Sequence, residues 1–137
     1  MSQIIYARED NLDPEEFRKV LIHSTLGERR PISDPERIRN MVANANLIIT
    51  ARHNSELIGV ARSVSDFAFC TYMSDLAVDE RYQKRGIGKA LIEQTRLAAP
   101  ETKLILLSAP KAVDYYPRIG MKRHEQCYYI DPGDGLG

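Results

Sequence analysis

Cysteine is scarce in this chain of 137 residues. There are two, Cys70 and Cys127, far apart and without a CxxC pair, which excludes a disulfide-stapled scaffold and a thiolate zinc site. Long apolar runs are missing too. No window approaches the length that spans a bilayer, and the opening residues have no basic segment leading an apolar stretch, so neither an anchor nor a leader is expected. Net charge is absent: Lys plus Arg and Asp plus Glu are both 19, which argues against bulk attachment to nucleic acid or to an anionic membrane. Three histidines, His23, His53 and His124, are scattered and read as surface or partly packed side chains rather than metal ligands. The expected location is a reducing cytoplasm.

What is present suffices for a core. With 43% hydrophobic content, the chain fits one compact domain over residues 1–137, with 131–137 expected as a frayed tail. Ile4-Ile5-Tyr6 reads as a first strand. Asp13-Pro14-Glu15-Glu16 starts a helix, with Asp as cap and Pro in the first turn, and the device recurs at Asp34-Pro35-Glu36. Residues 47–53 and 56–64 flank Asn54-Ser55 as a hairpin, and 71–78 supplies the next strand. A helix with Ile87, Ala90, Leu91 and Leu97 on its buried side ends at Pro100. Residues 103–108 are nearly all apolar, as a central strand covered on both faces would be. A short helix is expected within 112–119 and a closing strand or strand pair within 121–130.

Chemistry concentrates where the strand ending at Val78 passes into the helix, through Gln83-Lys84-Arg85-Gly86-Ile87-Gly88-Lys89. Glycines without Cβ let a ligand reach the backbone, and the N–H groups of a helix's first turn point outward with the positive end of its dipole, so the turn reads as a phosphate cradle. A Walker loop would need a glycine at position 83 and a hydroxyl at 90, where Gln83 and Ala90 stand; a dinucleotide fingerprint would need a glycine at 91, where Leu91 stands. The run instead resembles the Q/R-x-x-G-x-G/A signature of the GNAT superfamily of acetyl-CoA-dependent N-acetyltransferases. Leu76-Ala77-Val78 looks like that family's fourth strand, and Tyr116-Pro-Arg-Ile-Gly120-Met121 is similar to its Tyr-x-x-x-Gly-Phe motif.

The resemblance implies an α/β fold of mixed α+β type. Its central sheet would be mixed, mostly antiparallel, and splayed between the fourth and fifth strands, with helices on both faces. It also implies the co-substrate, acetyl-CoA, with no metal. The pyrophosphate would sit on backbone N–H groups across Gln83, Lys84, Arg85, Gly86, Ile87, Gly88 and Lys89, and the pantetheine along Leu76, Ala77 and Val78. Tyr116 aligns with the tyrosine that family members use as general acid toward the CoA thiolate; a phenol with pKa near 10 is protonated at neutral pH and can donate.

A base for the incoming ammonium is less constrained, with Tyr72 and Asp75 as the candidates. Strand alternation sets Tyr72 and Ser74 on one face and Asp75 on the other unless a bulge intervenes. Two positions depart from the family pattern. Ala109 replaces an asparagine that bonds the cofactor, and Met121 replaces an aromatic. Acceptor choice in the family comes from the loop between the first two helices, where Arg29 and Arg30 could engage a carboxylate or phosphate. The acceptor amine is left open between small molecule and protein. A non-catalytic acyl-CoA sensor is the alternative function, and a homodimer is implied by analogy alone.

Overall fold

In the computed structural model, residues 3–137 are described. The chain divides into two compact units, one ending at Leu107 and one running from Ser108 to Gly137. The first unit carries a five-stranded sheet in chain order: β1 (Ile4–Arg8), β2 (Leu47–His53), β3 (Glu56–Ser65), β4 (Cys70–Val78) and β5 (Lys103–Leu106). The first four strands pair antiparallel and β5 joins β4 in parallel. This is the mixed, mostly antiparallel sheet that the family resemblance implies.

Helices α1 (Pro14–His23) and α2 (Pro35–Ala43) start as their sequences predict. The Asp13 carboxylate accepts from the Glu15 N–H at 3.3 Å, and that of Asp34 from the Arg37 N–H at 3.2 Å, each ahead of a proline at the first helical position. Phe17, Val20 and Leu21 of α1 and Ile38 and Val42 of α2 are buried with Ile48, Val60 and Ala77 of the sheet. Helix α3 (Ile87–Ala98) covers the opposite face: a Cβ on Gly59 would stand 3.3 Å from Leu91 and 3.4 Å from Ile87. Gly59 and Val60 are consecutive on β3, so their side-chain directions fall on opposite faces and the helices flank the sheet on both sides.

Three expectations fail. Leu97, expected on the buried side of α3, is 71% exposed, and Thr95 takes the buried position near that end of the helix. Residues 103–108 were expected to form a central strand, yet β5 has β4 as its only neighbour among the described residues, and Lys103 and Ile105 are exposed. A continuous apolar run therefore marks an edge here. The closing strand expected within 121–130 is likewise absent among the described residues. Five consecutive polar residues, 122–126, occupy its first half. Within them the Gln126 N–H turns back onto His124 Nδ1 at 3.0 Å, which takes that N–H out of any ladder.

The second unit contains a 3₁₀ turn (Pro110–Ala112) and the one-turn helix α4 (Tyr115–Arg118). Gly120, at φ +100°, ends α4. Its N–H donates to the Pro117 carbonyl at 3.1 Å, and the Met121 N–H reaches back to the Tyr116 carbonyl at 3.0 Å. These are the paired bonds of a Schellman closure, and they give Tyr-x-x-x-Gly a physical reason: the glycine must lie four residues after the tyrosine for both to form.

Candidate active site

β4 is paired with β3 along most of its length, from Thr71 to Val78, but with β5 only from Cys70 to Met73. From Ser74 to Val78 one edge of the strand therefore has no β5 partner. Such an edge offers backbone N–H and C=O groups to an extended ligand, apart from the Ser74 and Val78 carbonyls, which accept from Arg30 and Gln83. The opening leads toward the start of α3. There Gly86 takes φ +79° as the N-cap, with no side chain closing the first turn, and a Cβ placed on it would meet nothing within 4 Å. The N–H groups of the first turn are thus free of side-chain caps, as an anion would require.

The side chains of the turn divide into anchors and free charges. Gln83 Nε2 donates to the Val78 carbonyl at 2.9 Å, tying the turn to the end of β4. Arg85 stands over the Tyr82 ring at 5.3 Å, with Arg81 against the same ring at 5.5 Å, and the Tyr82 hydroxyl meets His53 Nδ1 at 2.7 Å. Arg81 also bonds the buried Asp79, and this guanidinium holds the Asp79 carboxyl below the usual carboxylate range. Lys84, itself at φ +65°, and Lys89 have no ionic partner among the described residues. Two surface hollows of about 400 and 490 Å³ lie between the starts of α1 and α2 and around His23 and Arg81.

The base candidates are rearranged by a β-bulge. Arg62 pairs with Asp75, but the next residue, Ser63, pairs with Met73, so β4 holds one extra residue at Ser74. Val64 then pairs with Tyr72. Because Arg62 and Val64 are two apart on β3 they share a face, and their partners Asp75 and Tyr72 share it too. It is the face under α1 and α2, since Val60 and Ala77 pair on it within the core. Leu76 pairs with Ala61 and Val78 with Gly59, which sets both on the α3 side.

Asp75 is fully committed. Its side chain is buried, one oxygen accepting from Arg30 Nε at 2.5 Å and the other from Arg62 Nε. Arg30 also donates to the Ser74 carbonyl at 2.8 Å, and Arg62 to the Met41 carbonyl at 3.1 Å. One carboxylate thereby joins the loop after α1, the bulge, β3 and the end of α2. Sequence spacing carried no sign of this triad, because its members lie 13 and 45 residues from Asp75. The Gln83 anchor is equally invisible in a motif that reads Gln83 only as part of the cradle. Tyr72, by contrast, is 42% exposed on the same face. In the second unit Tyr116 is half-buried and packs edge-on against Tyr115 at 5.2 Å; burial raises its pKa above that of a free phenol.

β4 and β5, parallel over four residues and connected through a helix that opens on a left-handed glycine, frame the site. Residues 14–131 match the family model described as the acetyltransferase (GNAT) domain, and the chain belongs to that family. It is 32% identical over 133 residues to a histone acetyltransferase, TAP1, of Glycine max, covering 89% of this chain and 57% of that protein. The chain thus spans little more than half the length of that curated relative. Among solved structures it is similar to a GNAT-family acetyltransferase from Streptococcus pneumoniae, with TM-score 0.77 and 19% identity over 95% of this chain and 99% of that one. It is also similar to an aminoglycoside N-acetyltransferase, AAC(6')-Iy, in complex with CoA, with TM-score 0.73 and 12% identity over 98% and 97% of the two chains. At such identity these two likenesses concern the fold.

Proposed function

We propose that the protein is an N-acetyltransferase that moves the acetyl group of acetyl-CoA to a primary amine by direct attack within a ternary complex. The observation that carries this reading is the continuity between the unpaired edge Ser74–Val78 and the uncapped, left-handed start of α3. The donor set fits: free backbone groups suit an amide-bearing arm, and open N–H groups beside Lys84 and Lys89 suit a pyrophosphate. Leu76, Ala77 and Val78 would hold the arm, and the backbone from Gln83 to Lys89 the phosphates, with the Gln83 side chain keeping the turn at the strand end.

Acetyl-CoA supplies the activated acyl group. The protein's part is to orient it, to polarise its carbonyl with a β4 N–H such as that of Val78, and to move two protons. The amine arrives as an ammonium and must lose one proton before it can attack. Asp75 is unsuited to take it while held between two guanidiniums, so Tyr72, relaying to water, is the better candidate. As the C–S bond breaks, the sulfur needs a proton, a role that the family resemblance gives to Tyr116; burial raises its pKa, which keeps the phenol protonated through neutral pH.

The test is thermal stabilisation by acetyl-CoA, CoA and ATP, followed by thiol release across a panel of amines. Stabilisation by acetyl-CoA with amine-dependent thiol release supports the enzyme. Stabilisation with no turnover would indicate an acyl-CoA sensor, and stabilisation by ATP alone would overturn the reading.

A further inference from the structure

Past the rung formed by Arg62 and Asp75, the face that α1 and α2 cover comes into the open. Val64 of β3, Tyr72 of β4 and Ile105 of β5 stand side by side in one cross-strand row. They are 49%, 42% and 41% exposed. Isolated exposed apolar side chains are ordinary, but three in register across three strands form a continuous surface. A positive edge adjoins it. The single carboxylate of Asp75 is shared by Arg30 and Arg62, so the triad at this edge holds two guanidiniums against one carboxylate. Arg30 keeps N–H groups beyond the three it uses on Asp75, Arg29 and Ser74.

An apolar floor with a surplus cation at its edge repels a polycation and meets a carboxylate with charge-assisted hydrogen bonds. We propose that this face receives the acceptor, and that the acceptor is a small amine bearing a carboxylate beside an apolar side chain, as an aliphatic or aromatic α-amino acid does. This rests on the acetyltransferase reading above for the reaction, while the binding it requires can be measured without turnover. The side chain would lie on Val64, Tyr72 and Ile105, and the carboxylate toward Arg30.

The experiment titrates the protein with phenylalanine, phenylalaninamide and a tetralysine peptide, following the methyl resonances of Val64 and Ile105, and repeats the series with acetyl-CoA for thiol release. Phenylalanine is expected to shift both methyls saturably and to bind at least about tenfold tighter than phenylalaninamide, which lacks the charge the arginines read. Tetralysine should shift neither. Val64→Glu and Ile105→Asn, both at exposed positions, should each weaken phenylalanine about tenfold or more while leaving stabilisation by acetyl-CoA intact, which certifies the fold. Equal binding of phenylalaninamide or tetralysine, or unchanged affinity in both variants, overturns the proposal. Acetyl-CoA binding without phenylalanine binding strikes this inference alone. Phenylalanine binding without acetyl-CoA binding upholds the surface and strikes the acetyltransferase reading.

Discussion

Tyr116 and Gly86 carry the most testable single-residue roles. If Tyr116 delivers the proton to sulfur, Tyr116→Phe should lower kcat about a hundredfold or more with little change in the KM for acetyl-CoA, as steady-state thiol release would show. Its protonated form is the working one, and its folded pKa lies above the ordinary phenol value of 10.0. Activity should therefore persist to that pH and fall only as pH rises through the folded pKa, an alkaline limb that Tyr116→Phe would lack. At Gly86 the constraint is backbone: with φ +79° and open space where a Cβ would point, Gly86→Ala should cost about 1 kcal/mol from conformation rather than collision. Within the cradle the backbone should outweigh charge. Gly88→Val is expected to weaken acetyl-CoA more than Lys84→Ala does in a calorimetric titration; the opposite order would make the lysine the main phosphate contact.

At the level of elements, β4 is divided by its bulge into a stretch that pairs with β5 and a stretch that does not. Amide hydrogen exchange should slow at residues 76–78 and 86–89 on addition of acetyl-CoA and stay unchanged along β1 and β2. The triad beside the bulge predicts a stability effect. Asp75→Asn leaves Arg30 and Arg62 without their counter-charge and should destabilise the protein by about 3 kcal/mol or more in urea unfolding, as breaking a buried pair does. Much of this scaffold was legible in the chain because local rules decide it: aspartate-proline starts fix α1 and α2, and the glycine pair fixes where α3 begins. The bulge was not legible, since residues 70–78 show no apolar-polar alternation whose phase could break, and even their burial alternates straight through it. Nor was the fate of Asp75, which depends on partners supplied by a distant loop and a neighbouring strand. The apolar run at 104–107 misled for a related reason: a period cannot distinguish burial between helices from an apolar face left open at an edge.

Across the whole chain, regular hydrogen bonding ends with α4. Residues 122–130 carry no ladder bonds among the described residues, and Tyr128, Tyr129 and Ile130 are exposed. Exchange at these amides should be fast beside the protected β2–β4 core, and protection comparable to β4 would reveal a strand at this end. Within the first unit, Ser74 lets one strand be written in two frames. On one side of it the odd-numbered residues Asp75 and Ala77 are on the α1–α2 face of the sheet; on the other, the even-numbered Tyr72 is on that face, beyond the helices' cover. Deleting Ser74 would shift the phase of everything before it, turning Tyr72 inward under α3 and Thr71 and Met73 outward. The two halves can therefore vary independently in residue type, but only while the spacer between them is kept at one residue.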